Sequence, residues 1–242
     1  MKKPSLAEIK SVSALGHKKF REETGLFAVE GEKMVAEALK SDFEVIAVYR
    51  VEDVGEEVMA RMSTFKTPSP ALAVLKQVHR SPAPMPTQGL FLALDSIRDP
   101  GNMGTILRVA DWFAIKAVYA SPDCVELYNP KTVQATMGAI FRVPVYYCDL
   151  PRLCAAVGDV GGRVYGTLLD GNDIYGTRLD DGCDHPVLIV TGNESEGISS
   201  TLKPHLTDRL CIPRGREGSE SLNAAVATAV VVAEFRRQAR SR

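Results

Sequence analysis

The sequence predicts an α/β protein whose C-terminal part is a mostly parallel sheet with helices on both faces, preceded by a small α/β domain. Three observations point there. Continuous apolar runs such as 90–94 and 187–191 suit strands buried on both faces. Strands and helical patterns alternate regularly after residue 89. A Pro-rich stretch with Pro82, Pro84 and Pro86 reads as an extended connector between two apolar-patterned regions.

Before that connector, helical periodicity at 6–15 and 32–39 alternates with strand-like segments at 25–29, 45–51 and 71–75. Phe27 and Val29 alternate with Ala28 and read as core. The expected division is a first domain over 1–82, a linker over 83–88 and a second domain over 89–242. In the second, strands are expected at 90–94, 117–121, 143–148, 163–168, 187–191 and 209–213. The intervening helices fall at 103–113, 130–141, 150–157, 199–206 and 222–238.

Three of these strands empty into loops suited to binding. The first runs from Ser96 to Asn102, the second from Gly192 to Ile198, and the third from Arg214 to Glu220 with Gly215 and Gly218. Ligands of open α/β sheets lie beyond the carboxyl ends of the strands, so three such loops suggest one composite site. Ser221 or Asn223 would cap the last helix, and Asn102 the first.

Composition bounds the partners. A net charge of −1 over 242 residues excludes a uniformly basic coat. Charge is nevertheless segregated, with six Lys/Arg against one Glu through Arg21 and four Arg after Glu234. Five cysteines, with no CxxC pair and no metal-ligand spacing to the four His, read as small buried hydrophobes in a reducing compartment, and no metal is expected. The run 224–233 is too short to span a bilayer and the N-terminus lacks a signal-peptide core, so a soluble cytoplasmic protein without membrane contact is expected. No GxGxxG follows the first strand of the second domain, and Ile198-Ser199 stands where a phosphate-binding loop needs Lys-Ser/Thr.

The stretches Asp99-Pro100-Gly101-Asn102-Met103-Gly104-Thr105-Ile106-Leu107-Arg108, Thr191-Gly192-Asn193-Glu194-Ser195-Glu196-Gly197-Ile198, and Ile212-Pro213 with Ser221-Leu222-Asn223 resemble the three motifs of the SpoU (TrmH) branch of the SPOUT RNA methyltransferases. The resemblance spans 89–242. It implies an enzyme that moves a methyl group from S-adenosylmethionine to a ribose 2'-hydroxyl, and an α/β knot fold whose tail threads a loop as a deep trefoil knot. It also implies a homodimer in which Arg108 of one chain approaches the cofactor of the other. The first domain more weakly resembles the substrate-binding domain that often precedes this core, similar to α/β RNA-binding ribosomal proteins; by analogy this favours ribosomal over transfer RNA.

Carried onto this chain, the resemblance implies a catalytic set of Arg108, Asn102, Glu194, Ser221 and Asn223. Thr167, Leu168, Leu169, Gly192, Asn193, Gly197, Ile212, Pro213, Ser221, Leu222 and Ala227 would line the cofactor pocket. Lys18, Lys19 and Arg21, with Lys131 in the second domain, are the candidate RNA contacts. Guanidinium stays protonated in proteins, so Arg108 suits charge stabilisation and a grip on phosphate rather than proton abstraction. The alternatives are a non-catalytic RNA-binding or ribosome-assembly protein that keeps the fold, and a nucleotide-binding α/β protein without an RNA role.

Overall fold

The computed structural model describes residues 4–216 and 221–240. Its contacts divide the chain into two compact units, the first comprising the residues through His79 together with Glu126–Arg142, the second Arg80–Val125 with the residues from Val143 onward.

In chain order, the first unit begins with α1 (Leu6–Ala14), α2 (Lys18–Thr24) and β1 (Leu26–Glu30). It continues through α3 (Glu32–Lys40), β2 (Val45–Arg50), α4 (Val51–Val54), α5 (Glu56–Met62) and β3 (Ala71–Lys76). Helix α1 starts at a capping box in which the Ser5 hydroxyl accepts from Glu8 N–H and Glu8 returns the bond to the Ser5 amide. The three strands form an antiparallel sheet in the order β1-β3-β2, with Phe27 opposite Leu75 and Val48 opposite Ala73. Phe27 and Val29 are fully buried, as their alternation predicts. Helices α2, α4 and α5 were not expected from the sequence; α2 has only Phe20 as a large apolar residue, so its helical period is silent.

The second unit starts with β4 (Gly89–Leu94), α6 (Pro100–Trp112) and β5 (Val118–Ala120). The chain then returns to the first unit for α7 (Pro130–Thr136) and a single 3₁₀ turn at Ala139–Phe141. The continuous helix expected over 130–141 is broken because Met137 and Gly138 both take left-handed conformations. A Cβ on Gly138 would lie 3.1 Å from Glu37 Cγ, so the break lets the turn pack closely. The Tyr128 ring, in the same segment, packs against Phe27 with centroids 4.6 Å apart and a 43° tilt, and its hydroxyl exchanges hydrogen bonds with the backbone of Val78.

The second unit resumes with β6 (Val145–Tyr147), α8 (Leu150–Asp159), β7 (Arg163–Asp173), β8 (Pro186–Thr191), β9 (Asp208–Cys211) and α9 (Ala224–Arg240). Its six strands pair in parallel throughout, in the order β6-β5-β4-β8-β7-β9. β4 and β8, the two continuous apolar runs, sit side by side at the centre, with Leu92 opposite Ile189 and both fully buried. The expected helix over 199–206 does not form; only a 3₁₀ turn at Lys203–His205 appears. Pro204 has no N–H to continue a helix, and Ser199 N–H donates to the buried Asp95 carboxylate at 2.7 Å.

Helix α9 is anchored at both ends. The Thr228 hydroxyl meets the Thr191 hydroxyl at 2.9 Å, and Arg236 donates to the carbonyls of Phe113 and Ala114 at the end of α6. Gln238 donates to Thr177 O and accepts from Leu179 N–H, which ties the tail to the segment between β7 and β8. Cys124 and Cys154 are buried as expected, and burial pushes the Cys154 thiol up to about 12. Cys183, in contrast, is exposed.

Candidate active site

The strand-end loops of the second unit converge through their side chains. Helix α6 begins three residues earlier than the sequence suggested: Asp99, not Asn102, is its N-cap, accepting from Asn102 N–H at 2.8 Å, with Pro100 at the first helical position. Asn102 is thereby released from capping and turned toward the second loop, where its Nδ2 donates to Glu194 Oε1 at 2.5 Å. Asn223 Nδ2 donates in turn to Asn102 Oδ1 at 2.9 Å. Asn223 Oδ1 meanwhile caps α9 by accepting from Ala225 and Val226 N–H, so one side chain starts the tail helix and joins it to α6. Three segments far apart in sequence are thus pinned by one chain of amides ending on a carboxylate.

The second loop is held from below. Asn193 and Gly197 exchange backbone bonds at 3.0 and 2.9 Å, and Asn193 Oδ1 accepts from Ser195 and Glu196 N–H. Asn193 Nδ2 donates to Ser96 O at 2.8 Å. Asn193 and Gly197, expected at the cofactor pocket, thus shape the loop that carries Glu194. Gly192 is different. A Cβ there would lie 2.2 Å from Gly197 C and 2.4 Å from Ile198 N, so only glycine allows the two loop arms to approach.

The remaining pocket candidates cluster around the ends of β7 and β9. β7 pairs with β9 from Tyr165 to Thr167 and again from Asn172, so residues 168–171 bulge out between. Thr167 Oγ1 donates to Val190 O in the neighbouring strand, and Cys211 Sγ lies 3.3 Å from Leu169 O, which places Ile212 beside the bulge. Leu169 is 65% exposed and Leu222 49%, apolar surface left uncovered beyond the strand ends. Leu168 instead leans on the core beside Val164 and Ile198. Ala227 N–H is bonded to Asn223 O inside the helix, so any part it takes is by packing alone. Pro213 and Ser221 are exposed at the rim; Gly218 and Glu220 lie outside the described residues.

Arg108 does not join the amide network. Six residues along α6 from Asn102 means about 9 Å of rise and about 240° of rotation. Its exposed face holds Gly101, Thr105 and Trp112, while Gly104 is buried. Arg108 has no ion pair among the described residues, and Trp112, one turn further on, is 85% exposed.

The candidate RNA contacts fare unevenly. Arg21 is 2% exposed; its guanidinium donates to Glu126 at 3.0 and 2.7 Å and to Leu15 O at 2.8 Å. This corrects its assignment to RNA: it is a buried structural ion pair inside the first unit. Lys18 and Lys19 are exposed but face Glu22 and Glu23 one helical turn away, at 3.6 and 3.8 Å. Lys131 is exposed near the start of α7. Among the described residues no His/Cys/Asp/Glu group could hold a metal, and no helix is long and apolar enough to cross a membrane.

The polar network and the apolar shelf lie beyond the strand ends of a six-stranded parallel sheet, where α/β proteins bind ligands, and comparison with known proteins gives the class. Residues 89–233 match the SpoU rRNA methylase family and residues 7–78 the MRM3-like substrate-binding domain. The chain belongs to the SpoU rRNA methylase family and is an RNA methyltransferase. It is 29% identical over 95% of its length to the Bacillus subtilis 23S rRNA (guanosine(2553)-2'-O)-methyltransferase RlmP, covering 96% of that protein. Its structure matches a TrmH-family protein from Porphyromonas gingivalis with a TM-score of 0.86 at 36% identity, covering 98% of this chain and 100% of that one. The AdoMet-bound rRNA methyltransferase from Sinorhizobium meliloti matches with a TM-score of 0.84 at 28% identity, over 96% of each chain.

Proposed function

We propose that the protein transfers a methyl group from S-adenosylmethionine to a ribose 2'-hydroxyl of ribosomal RNA in the cytoplasm, as a metal-independent homodimer. The observation that carries this reading is the Asn223–Asn102–Glu194 network, which joins all three motif loops at one point. The residues around the site fit the cofactor: the exposed Leu169 and Leu222 offer an apolar surface to an adenine, beside a loop that Gly192 allows to close tightly. Bound there, S-adenosylmethionine would supply an activated methyl on a sulfonium. Gly192, Thr167, Leu168, Leu169, Ile212, Pro213, Ser221, Leu222 and Ala227 would shape its pocket, and the tail would thread the preceding loops as a trefoil knot.

The chain's own groups then orient and stabilise. Glu194 fixes Asn102 and through it Asn223, so the three loops keep one geometry when RNA arrives. Ser221, beside Asn223 at the rim, would face the acceptor ribose. Arg108 would hold the phosphate next to the acceptor and favour the developing alkoxide. Its separation from the network along α6 supports a site completed across a twofold interface, where the exposed Trp112 and the half-exposed Val226 would find cover. The proposed division of labour assigns RNA binding to 1–82, linkage to 83–88 and methyl transfer to 89–242, in keeping with the two family matches. Lys18, Lys19 and Lys131 would supply phosphate contacts.

Mapping 2'-O-methyl positions in total RNA from cells with and without the gene tests the reading. One ribosomal position lost with the gene supports it. Loss confined to transfer RNA, or no loss, overturns the substrate assignment.

A further inference from the structure

The first unit contains a cleft among α1, α2 and α5 with a volume of about 420 Å³, the size of small-ligand sites. Lys10, Ser13, His17, Phe20 and Arg61 line it, over a floor that includes Ile9. Its chemistry is one-sided. Two basic side chains, Lys10 and Arg61, face it and no acid lines it. Neither Lys10 nor Arg61 has an ion pair among the described residues, whereas Lys18 and Lys19 are met by Glu22 and Glu23. Phe20 is 43% exposed, and the His17 ring stands 6.4 Å away, tilted by 58°.

A lone exposed phenylalanine is ordinary surface. One that walls a cleft beside an imidazole and two cations has the make-up of a single-strand nucleic-acid site, where aromatic faces take bases and cations take the backbone. We propose that this cleft is a nucleotide subsite that receives an unpaired base of the substrate RNA against Phe20 and His17, with Lys10 and Arg61 on its flanking phosphates. It rests on the reading that RNA is the substrate. It also adds Lys10, Phe20 and Arg61 to the expected RNA contacts Lys18 and Lys19, while the buried Arg21 drops out.

The test uses the full-length protein and a fluorescein-labelled single-stranded RNA 12-mer, its duplex form and a polyglutamate peptide, read by anisotropy over a salt series. Phe20→Ala should weaken single-strand binding about tenfold, the scale of one stacked base, and leave duplex binding nearly unchanged. The Lys10→Ala/Arg61→Ala double variant should lower the salt slope by about 1.4, or about 0.7 for each phosphate contact to a single strand. Wild-type circular dichroism and an unchanged thermal unfolding profile would show that the variants remain folded. Wild-type affinity and slope in both variants, with RNA methylation by the wild type intact, would overturn the cleft alone. Tighter binding of polyglutamate than of RNA, lost in the same variants, would assign the cleft to an acidic protein and equally overturn it. A wild type that neither binds nor methylates ribosomal RNA would bring down the functional reading itself.

Discussion

Asn102 gives its amide N–H to Glu194 at 2.5 Å while its carbonyl takes the Asn223 amide, so the orientation of each of the three side chains fixes the next. Glu194 matters here as an acceptor. Glu194→Ala is expected to lower turnover about a hundredfold, the scale of a reacting group misplaced by about an ångström. Glu194→Gln keeps an acceptor oxygen and should stay within about tenfold of wild type. Single-turnover kinetics would check this; equal losses in both variants would mean that the charge, not the positioning, is what the reaction uses.

Arg108→Ala should leave S-adenosylmethionine affinity nearly intact and lower turnover by roughly a hundredfold or more, as expected for one transition-state charge stabiliser. Arg108→Lys should also be poor, because a point charge does not reproduce the planar fork. Calorimetry paired with single-turnover rates separates the two effects, and near-normal rates in either variant would remove Arg108 from the mechanism.

Gly192→Val should abolish cofactor binding. The added Cβ alone would collide with the backbone of Gly197 and Ile198, prising open the loop that carries Glu194. Circular dichroism and an S-adenosylmethionine titration together decide it: a folded variant with wild-type affinity would put the pocket elsewhere.

Site sharing between subunits has its own signature. Arg108→Ala and Gly192→Val chains should each be inactive alone, and mixed under conditions where subunits exchange they should form hybrids with one working site. Hybrids without activity would mean that each site is built within one chain.

The central strands were legible because β4 and β8 are buried on both faces and their apolar runs need no partner information to be read. The place of the site was legible in its three strand-end loops, but the residues assigned to it came only through motif resemblance. Asn102 lies 92 residues from Glu194 and 121 from Asn223, and no local pattern brings them together. Long-range pairing also explains the errors. Arg21 sits in a basic stretch and reads as surface until Glu126, 105 residues away, is seen to bury it. The miss at 199–206 is local instead: Pro204 has no N–H to continue a helix, and only the 3₁₀ turn at Lys203–His205 forms. The segment Glu126–Arg142 carried no sequence sign that Tyr128 packs on Phe27 in the first unit.

The central claim is methyl transfer to a ribose oxygen, and the most direct measurement supplies the purified protein with methyl-labelled S-adenosylmethionine and ribosomal RNA from cells lacking the gene. The account predicts label at one ribosomal RNA position, with that phosphodiester linkage resistant to alkaline cleavage because its 2'-hydroxyl is blocked. Label on a base at an alkali-sensitive position, or no incorporation by protein that binds the cofactor, would contradict it.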